Sequence, residues 1–306
     1  MPRKFQIIEV PDDLSPKLEQ MGTKFKFWYF DEQHGYCLFK EGHPKTGEDW
    51  AERVAAELCE LLEMPHAVYK LAVWRDRNGV ITPNFLADDE SYSAGNEVLF
   101  RLDASYPKAE KKAKKHSIEN ICTAFELLKV QPPRETVPPS ITTTKQVFLG
   151  YLMLDAWISN TDRHHENWAT IRRFENGVLT DKLAPTHDHA ASLGCILLDD
   201  EKRERLTTKD RYRTVEAYAN NTKARSAIYE NETDAKPLSL IDAFRAASSH
   251  NPNASKIWLE KLENVTIDVV KEVFERIPEE RISDAAKEFA IRLLEINRAR
   301  LLELKR

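Results

Sequence analysis

Ser159-Asn160-Thr161-Asp162-Arg163-His164-His165-Glu166-Asn167-Trp168 is the stretch from which the rest of the chain can be read. It follows a run with helical period and precedes what reads as a β-hairpin. The hairpin leads into Ala184-Pro185-Thr186-His187-Asp188-His189. An Asp, an Asn five residues on, a hairpin and a second Asp make the layout of a phosphoryl-transfer site. In that layout Asp162 takes the proton of an attacking hydroxyl. Asn167 and Asp188 hold Mg²⁺ on the phosphates of a nucleotide. Magnesium keeps several waters and needs few hard oxygen ligands, so one carboxylate and one amide suffice.

Thr161 to Trp168 resembles the D-R-H-x-x-N-W catalytic loop of HipA-type kinases. Leu183 to Ser192 resembles their A-P-x-[YF]-D metal-binding segment, with His187 where the family has Tyr or Phe. These are bacterial serine/threonine kinases, several of them toxins. The resemblance implies an α+β, bilobed protein-kinase-like fold, with a small β-rich N-lobe and a large, mostly α-helical C-lobe. It implies ATP and Mg²⁺ as cofactors, a Ser or Thr hydroxyl of a protein as acceptor, and an antitoxin as a potential partner. Full-length toxins of the family carry an extra N-terminal region that this chain is too short to contain. The family's regulatory serine in the phosphate loop has no clear match.

Composition agrees with a cytoplasmic enzyme. The 306 residues are 42% hydrophobic, enough for one large domain or two lobes. A formal net charge of −5 does not mark a nucleic-acid or membrane-surface binder. Cys37, Cys59, Cys122 and Cys195 form no Cys-x-x-Cys pair, so they read as free thiols in a reducing compartment. There is no secretory apolar core at the N-terminus, and no apolar run nears the roughly 18 residues of a membrane span.

Upstream of the loop, Met1 to about Pro16 alternates weakly, as an edge strand would. Met21 to Phe30 and Tyr36 to Lys40 read as a hairpin around Asp31-Glu32-Gln33-His34-Gly35. A hairpin ending in lysine is how a kinase small lobe reaches nucleotide phosphates, so Lys40 is the candidate nucleotide lysine. Gly22 and Thr23 are candidates for the loop over the phosphates. Glu48 to Met64 is a helix, with an apolar stripe at Trp50, Val54, Leu58, Leu61 and Leu62 and Pro65 as its stop. Either Glu48 or Glu52 can pair with Lys40. Ala67 to Trp74 and Val80 to Leu86 read as a second hairpin around the turn Arg75-Asp76-Arg77-Asn78-Gly79, with Asn78-Gly79 at its core, where by order the adenine-binding hinge of a kinase falls. Residues 87–115 lack a period, and the basic run Lys111, Lys112, Lys114 and Lys115 reads as a solvated helix start.

His116 to Val130 and Thr144 to Ile158 read as helices flanking a proline-rich loop, the second apolar nearly all round and so buried. Beyond Asp188 the pattern is helical near Lys209–Glu230, Pro237–Ala247, Ala254–Leu262, Ile267–Arg276 and Ser283–Lys305. The small lobe is thus 1–90 and the large lobe 91–306.

Asp162 is the candidate catalytic base. Asn167 and Asp188 are the metal candidates. Lys40, Gly22, Thr23 and His164 are the nucleotide-binding set, His164 and Arg163 serving chiefly to orient the loop. Two other readings compete. In a metal-dependent hydrolase, His164, His165, His187, Asp188 and His189 would bind a transition metal. That scheme leaves Asn167 without a duty. A pseudokinase or nucleotide-binding scaffold usually lacks the lysine, the base or the metal Asp, and all three are present here. Transfer to a lipid or small molecule would use the same site.

Overall fold

The computed structural model describes residues 2–13, 17–18, 25–175, 177–221 and 224–305. The fold is α+β and two-lobed. The small lobe begins with β1 (Ile8–Glu9), β2 (Lys17–Leu18), β3 (Lys26–Asp31) and β4 (Gly35–Glu41). It continues through α1 (Glu48–Leu61), β5 (Lys70–Trp74) and β6 (Arg77–Pro83). Its six strands run in the order β1-β5-β6-β4-β3-β2. Period-two burial turns Phe27, Tyr29, Cys37 and Phe39 inward onto Val10, Trp74 and Ile81. The β3–β4 turn forms because the Asp31 carboxylate accepts the N–H groups of Gln33 and His34 while Gly35 takes φ +75°.

The β5–β6 turn differs from expectation. Arg75 and Asp76 form it, both with positive φ (48° and 62°), while Asn78 and Gly79 lie inside β6. Gly79 answers a packing demand there. A Cβ at that position would stand 2.3 Å from the carbonyl oxygen of Lys40 on the paired strand β4.

The region expected to lack period holds two elements, β7 (Glu90–Ala94) and α2 (Gly95–Leu102). Next come α3 (Ile118–Leu127) and α4 (Thr144–Ile158). They are followed by β8 (Ala169–Glu175) and β9 (Val178–Leu183), which make a three-stranded sheet in the order β7-β8-β9. The lysines at 111–115 sit on a chain of turns rather than at a helix start. Thr143 starts α4 with a reciprocal cap shared with Gln146, and Ser159 ends it in the left-handed region. As its all-round apolar sequence predicts, α4 is the buried axis of the large lobe, and Trp157 Nε1 donates to the carbonyl of Leu294 at 3.2 Å.

The helices that enclose it are α5 (Asp199–Thr207), α6 (Val215–Ala219), α7 (Leu240–His250), α8 (Pro252–Asn264), α9 (Ile267–Glu275) and α10 (Asp284–Leu302). The long helix expected over Lys209–Glu230 is reduced to the short α6, and α5 stands where none was expected. None of the described helices is long and apolar enough to cross a membrane.

The C-terminal helices also grip the small lobe. Buried Arg281 pairs with Asp49 at the start of α1 and donates to the carbonyls of Ala72 and Gly79. The guanidinium groups of Arg53 and Arg276 both pack over the Phe5 ring, each 4.2 Å from its centre. The apolar core is continuous across both halves.

Candidate active site

Lys40 is the penultimate residue of β4, and its side chain is buried. Its Nζ lies 2.9 Å from Glu52 Oε1 on α1 and 2.5 Å from Asp188 Oδ1. Burial opposes the charge, but the carboxylates of Asp188 and Glu52 outweigh it and hold the ammonium well above its usual range. Of the two glutamates left open by the sequence, Glu52 is the one at Lys40, and it is 1% exposed. Burial lifts its carboxyl and Lys40 pulls it back down. Glu48 instead accepts from the backbone and ring of His43.

Asp188 follows β9 in the left-handed region, at φ 57°. Its N–H donates to the buried Tyr69 hydroxyl at 3.0 Å, while the next N–H, of His189, donates to Glu52 Oε2 at 2.8 Å. The backbone is therefore pinned on both sides of a carboxylate that remains 36% exposed. Pairing of the chain after α1 with Thr186 fixes the same segment from the small lobe.

The catalytic-loop candidate is assembled on one buried ion pair. Arg163 binds Asp155 of α4 in fork fashion, Nε to Oδ2 at 2.7 Å and Nη2 to Oδ1 at 2.8 Å. Its remaining N–H groups donate to the carbonyls of Asn167 and His187 and to Thr186 Oγ1. One guanidinium thus ties the Asp162–Asn167 loop to the Asp188 segment. Asn167 turns its amide nitrogen to the Asp162 carbonyl at 2.7 Å and to Asp162 Oδ2 at 3.3 Å. That orientation leaves its amide oxygen for a cation. Asp162 keeps a side chain 53% exposed, open to a molecule from solvent.

His164 accepts the Glu166 N–H on Nδ1, so its Nε2 carries the proton and faces Asp162 Oδ1 at 3.7 Å. Burial lowers its pKa and favours the neutral ring. The other histidines of the transition-metal scheme face different partners. His165 meets the Tyr106 hydroxyl, His187 the Pro185 carbonyl and Tyr92 hydroxyl, and His189 the Thr186 hydroxyl. Among the described residues no three His, Cys, Asp or Glu groups converge as a metal site. Asp188 and Asn167 offer one carboxylate and one amide oxygen, a hard donor set that fits magnesium rather than a softer metal.

Lys40, Glu52 and Asp188 are therefore together on one side, and Asp162, His164 and Asn167 on the other, with Arg163 joining the two. Gly22 and Thr23 lie outside the described residues. Reading the sequence missed Asp155, Tyr69 and Thr186, which contact the site from ordinary structural positions; a buried Asp in an apolar helix was the one available signal.

The fold is shared with solved structures that include a kinase. One solved structure that shares it is the proinflammatory kinase CtkA of Helicobacter pylori, with a TM-score of 0.67 at 17% identity over 98% of this chain and 100% of that one. Another is HipA of Shewanella oneidensis MR-1, from a toxin–antitoxin complex with HipB and operator DNA. Its TM-score is 0.53 at 11% identity, over 95% of this chain and 66% of that one. No family model and no curated protein matches the chain.

Proposed function

We propose that the chain is an ATP- and Mg²⁺-dependent kinase that transfers the γ-phosphate to a Ser or Thr hydroxyl of a protein. The observation that carries this reading is Lys40 held between Glu52 and Asp188, on the same scaffold as Asp162 and Asn167. The lobes are residues 1–90 and 91–306, with the nucleotide between them.

In this reading Lys40 neutralises phosphate charge and Glu52 sets its position. His164 borders the nucleotide set beside Asp162, and Gly22 and Thr23 belong to the phosphate loop. Asp188 and Asn167 would hold Mg²⁺, which when bound supplies charge neutralisation to the phosphates. The acceptor oxygen bonds to the γ-phosphorus as the bond to the β,γ-bridging oxygen breaks and ADP departs. The hydroxyl proton passes to the Asp162 carboxylate. Positioning and fixed charge provide most of the rate.

The likeness to CtkA, a kinase, supports phosphoryl transfer, while the protein acceptor rests on the motif resemblance at Asp162–Trp168 and Ala184–Ser192. HipA is solved with HipB, so an antitoxin partner belongs to the proposal, as does a cytoplasmic location. The test is γ-phosphate transfer from radiolabelled Mg-ATP into a bacterial lysate, with Asp162→Ala alongside. A labelled band made only by the unaltered protein supports the kinase; a protein that binds no ATP overturns it.

A further inference from the structure

The basic run absent from the site so far has a specific place in the fold. Residues 108–115 carry five lysines and one glutamate in a chain whose net charge is −5. The run is an ordered shelf. Successive turns fold it, from Tyr106 N–H on the Asp103 carbonyl to His116 N–H on the Ala113 carbonyl. Tyr106 and Ala113 are buried and anchor it from beneath. The Tyr106 hydroxyl meets His165 Nδ1 at 2.7 Å, which fastens the shelf to the catalytic loop itself. Asn96 repeats the link, its N–H donating to the His165 carbonyl and its side chain to the Lys108 carbonyl.

A line of close approaches then runs from the shelf to Asp162, through the neutral ring of His164 rather than through successive ion pairs. Lys111 Nζ lies 3.8 Å from Glu166 Oε2, Glu166 Oε2 lies 3.8 Å from His164 Nδ1, and His164 Nε2 lies 3.7 Å from Asp162 Oδ1. Lys115 is occupied by Asp103 and Ser105. Lys108, Lys112 and Lys114 are exposed. The shelf is thus fastened to the loop that carries Asp162.

We propose, resting on the kinase reading, that the shelf at 108–114 is the docking surface for an acidic segment of the protein substrate, flanking the phosphorylated Ser or Thr. Exposed lysines act as point charges that a run of Asp or Glu can meet without fixed geometry. Such pairing sets partner choice and encounter rate more than the chemical step. A nucleic acid is the less apt occupant, because the run has no exposed aromatic interleaved for base stacking and the whole chain is acidic.

The test compares the unaltered protein with Lys112→Glu/Lys114→Glu, two exposed positions outside the catalytic machinery. Fluorescence anisotropy with a labelled Ser peptide flanked by Asp and Glu reads docking without chemistry. The same peptide and an Ala-flanked one, used as acceptors, read KM and kcat. ATP titration of both proteins reads the kinase site separately. The expected result is binding of the acidic peptide that weakens about tenfold in the variant, with KM rising in step, and kcat, ATP affinity and the Ala-flanked peptide unchanged. If transfer fails but the acidic peptide still binds through the lysines, the docking surface stands and the kinase reading falls. If acidic and Ala-flanked peptides bind alike, or the preference survives charge reversal, the docking surface is overturned while ATP binding and transfer still judge the kinase. A single-stranded RNA that binds the shelf more tightly and displaces the acidic peptide also overturns it.

Discussion

The backbone N–H of His189 donates to Glu52 Oε2 at 2.8 Å, while the other oxygen of that carboxylate takes Lys40 Nζ at 2.9 Å. One buried glutamate thereby sets both the lysine of β4 and the backbone beside Asp188. Its removal disturbs Lys40 and Asp188 together. Glu52→Gln keeps the shape and an acceptor oxygen but loses the charge. A hydrogen bond to a charged group contributes about 1.5–3 kcal/mol, equal to about tenfold to a hundredfold in rate. We expect kcat/KM for Mg-ATP to fall by about that factor. Unchanged kcat/KM in a steady-state assay would sink the assignment of Glu52.

Asp162 is more exposed than the rest of the site; Asn167 takes its Oδ2 at 3.3 Å, while His164 Nε2 stands 3.7 Å from its Oδ1, beyond hydrogen-bond reach. Asp162→Ala removes the proton acceptor and leaves Lys40, Glu52 and Asp188 in place. General-base catalysis contributes about 10²–10⁴-fold, so transfer should fall by that order while nucleotide affinity by calorimetry holds. Asp188→Ala should instead weaken Mg-nucleotide binding itself. Near-full transfer by Asp162→Ala would show that another group takes the proton.

The contrast between Glu48 and Glu52 shows where the sequence stops being legible. Asp162, Asn167 and Asp188 stand out as candidates because their spacing matches what the proposed phosphoryl transfer would need. Which glutamate of α1 meets Lys40 depends on the rotation of the helix over the sheet, a tertiary fact. The turn expected over Arg75 to Gly79 centres on Asn78-Gly79, the stronger local signal; it closes at its first two residues, Arg75-Asp76, and Gly79 lies in β6, where it admits the Lys40 carbonyl. Helix α5, Asp-Asp-Glu-Lys-Arg-Glu-Arg-Leu-Thr, has no apolar stripe to read and draws support from acidic residues in its first turn and the Glu201–Arg205 pair. Helix α4, apolar all round, was legible because burial alone explains it.

Arg163 and Asp155 are both buried, so breaking the pair leaves an uncompensated charge. Arg163→Met should lower unfolding free energy by about 3–5 kcal/mol, read as a shift in the urea midpoint. Arg163→Lys should not rescue it, because an ammonium cannot reproduce the fork to Asp155 and also reach the carbonyls of Asn167 and His187. A lysine variant as stable as the original would refute the shared-anchor account.

Gly79 tests the coupling of sheet to site. An added methyl would meet the Lys40 carbonyl oxygen at 2.3 Å and the edge of Phe39 at 3.0 Å. Backbone cannot step aside as a side chain can, so β4 must move, and Lys40 with it. Gly79→Ala should cost about 1–3 kcal/mol and raise the KM for ATP. Gly177→Ala is the control: it meets nothing within 4 Å but sits at φ +80°, so it should reduce stability and leave that KM alone. Equal effects on KM from both variants would show that Gly79 acts through general destabilisation.

Acid should unfold the protein through its buried histidines. The Trp168 indole N–H donates to His116 Nε2 while His116 Nδ1 donates to the Ala227 carbonyl, so the ring is held in the neutral form. Burial pushes its pKa down to about 3, and burial pushes His165 down to about 4. In the unfolded chain both titrate near the ordinary histidine value of about 6.5. Between these values the unfolded state binds protons that the folded state does not, so stability rises with pH through that window. Sign and window follow: full stability above about pH 6.5, and a loss of about 1.4 kcal/mol per histidine for each unit below it, continuing toward pH 4. Urea midpoints measured from pH 4.5 to 7.5 should be flat at the top and fall steeply below 6.5. Since the charged His116 would set a proton against the Trp168 N–H, His116→Asn should flatten the slope by about one proton while lowering stability at pH 7.5. A midpoint independent of pH between 5 and 6.5 would mean that these rings take up protons without unfolding the lobe around the catalytic loop.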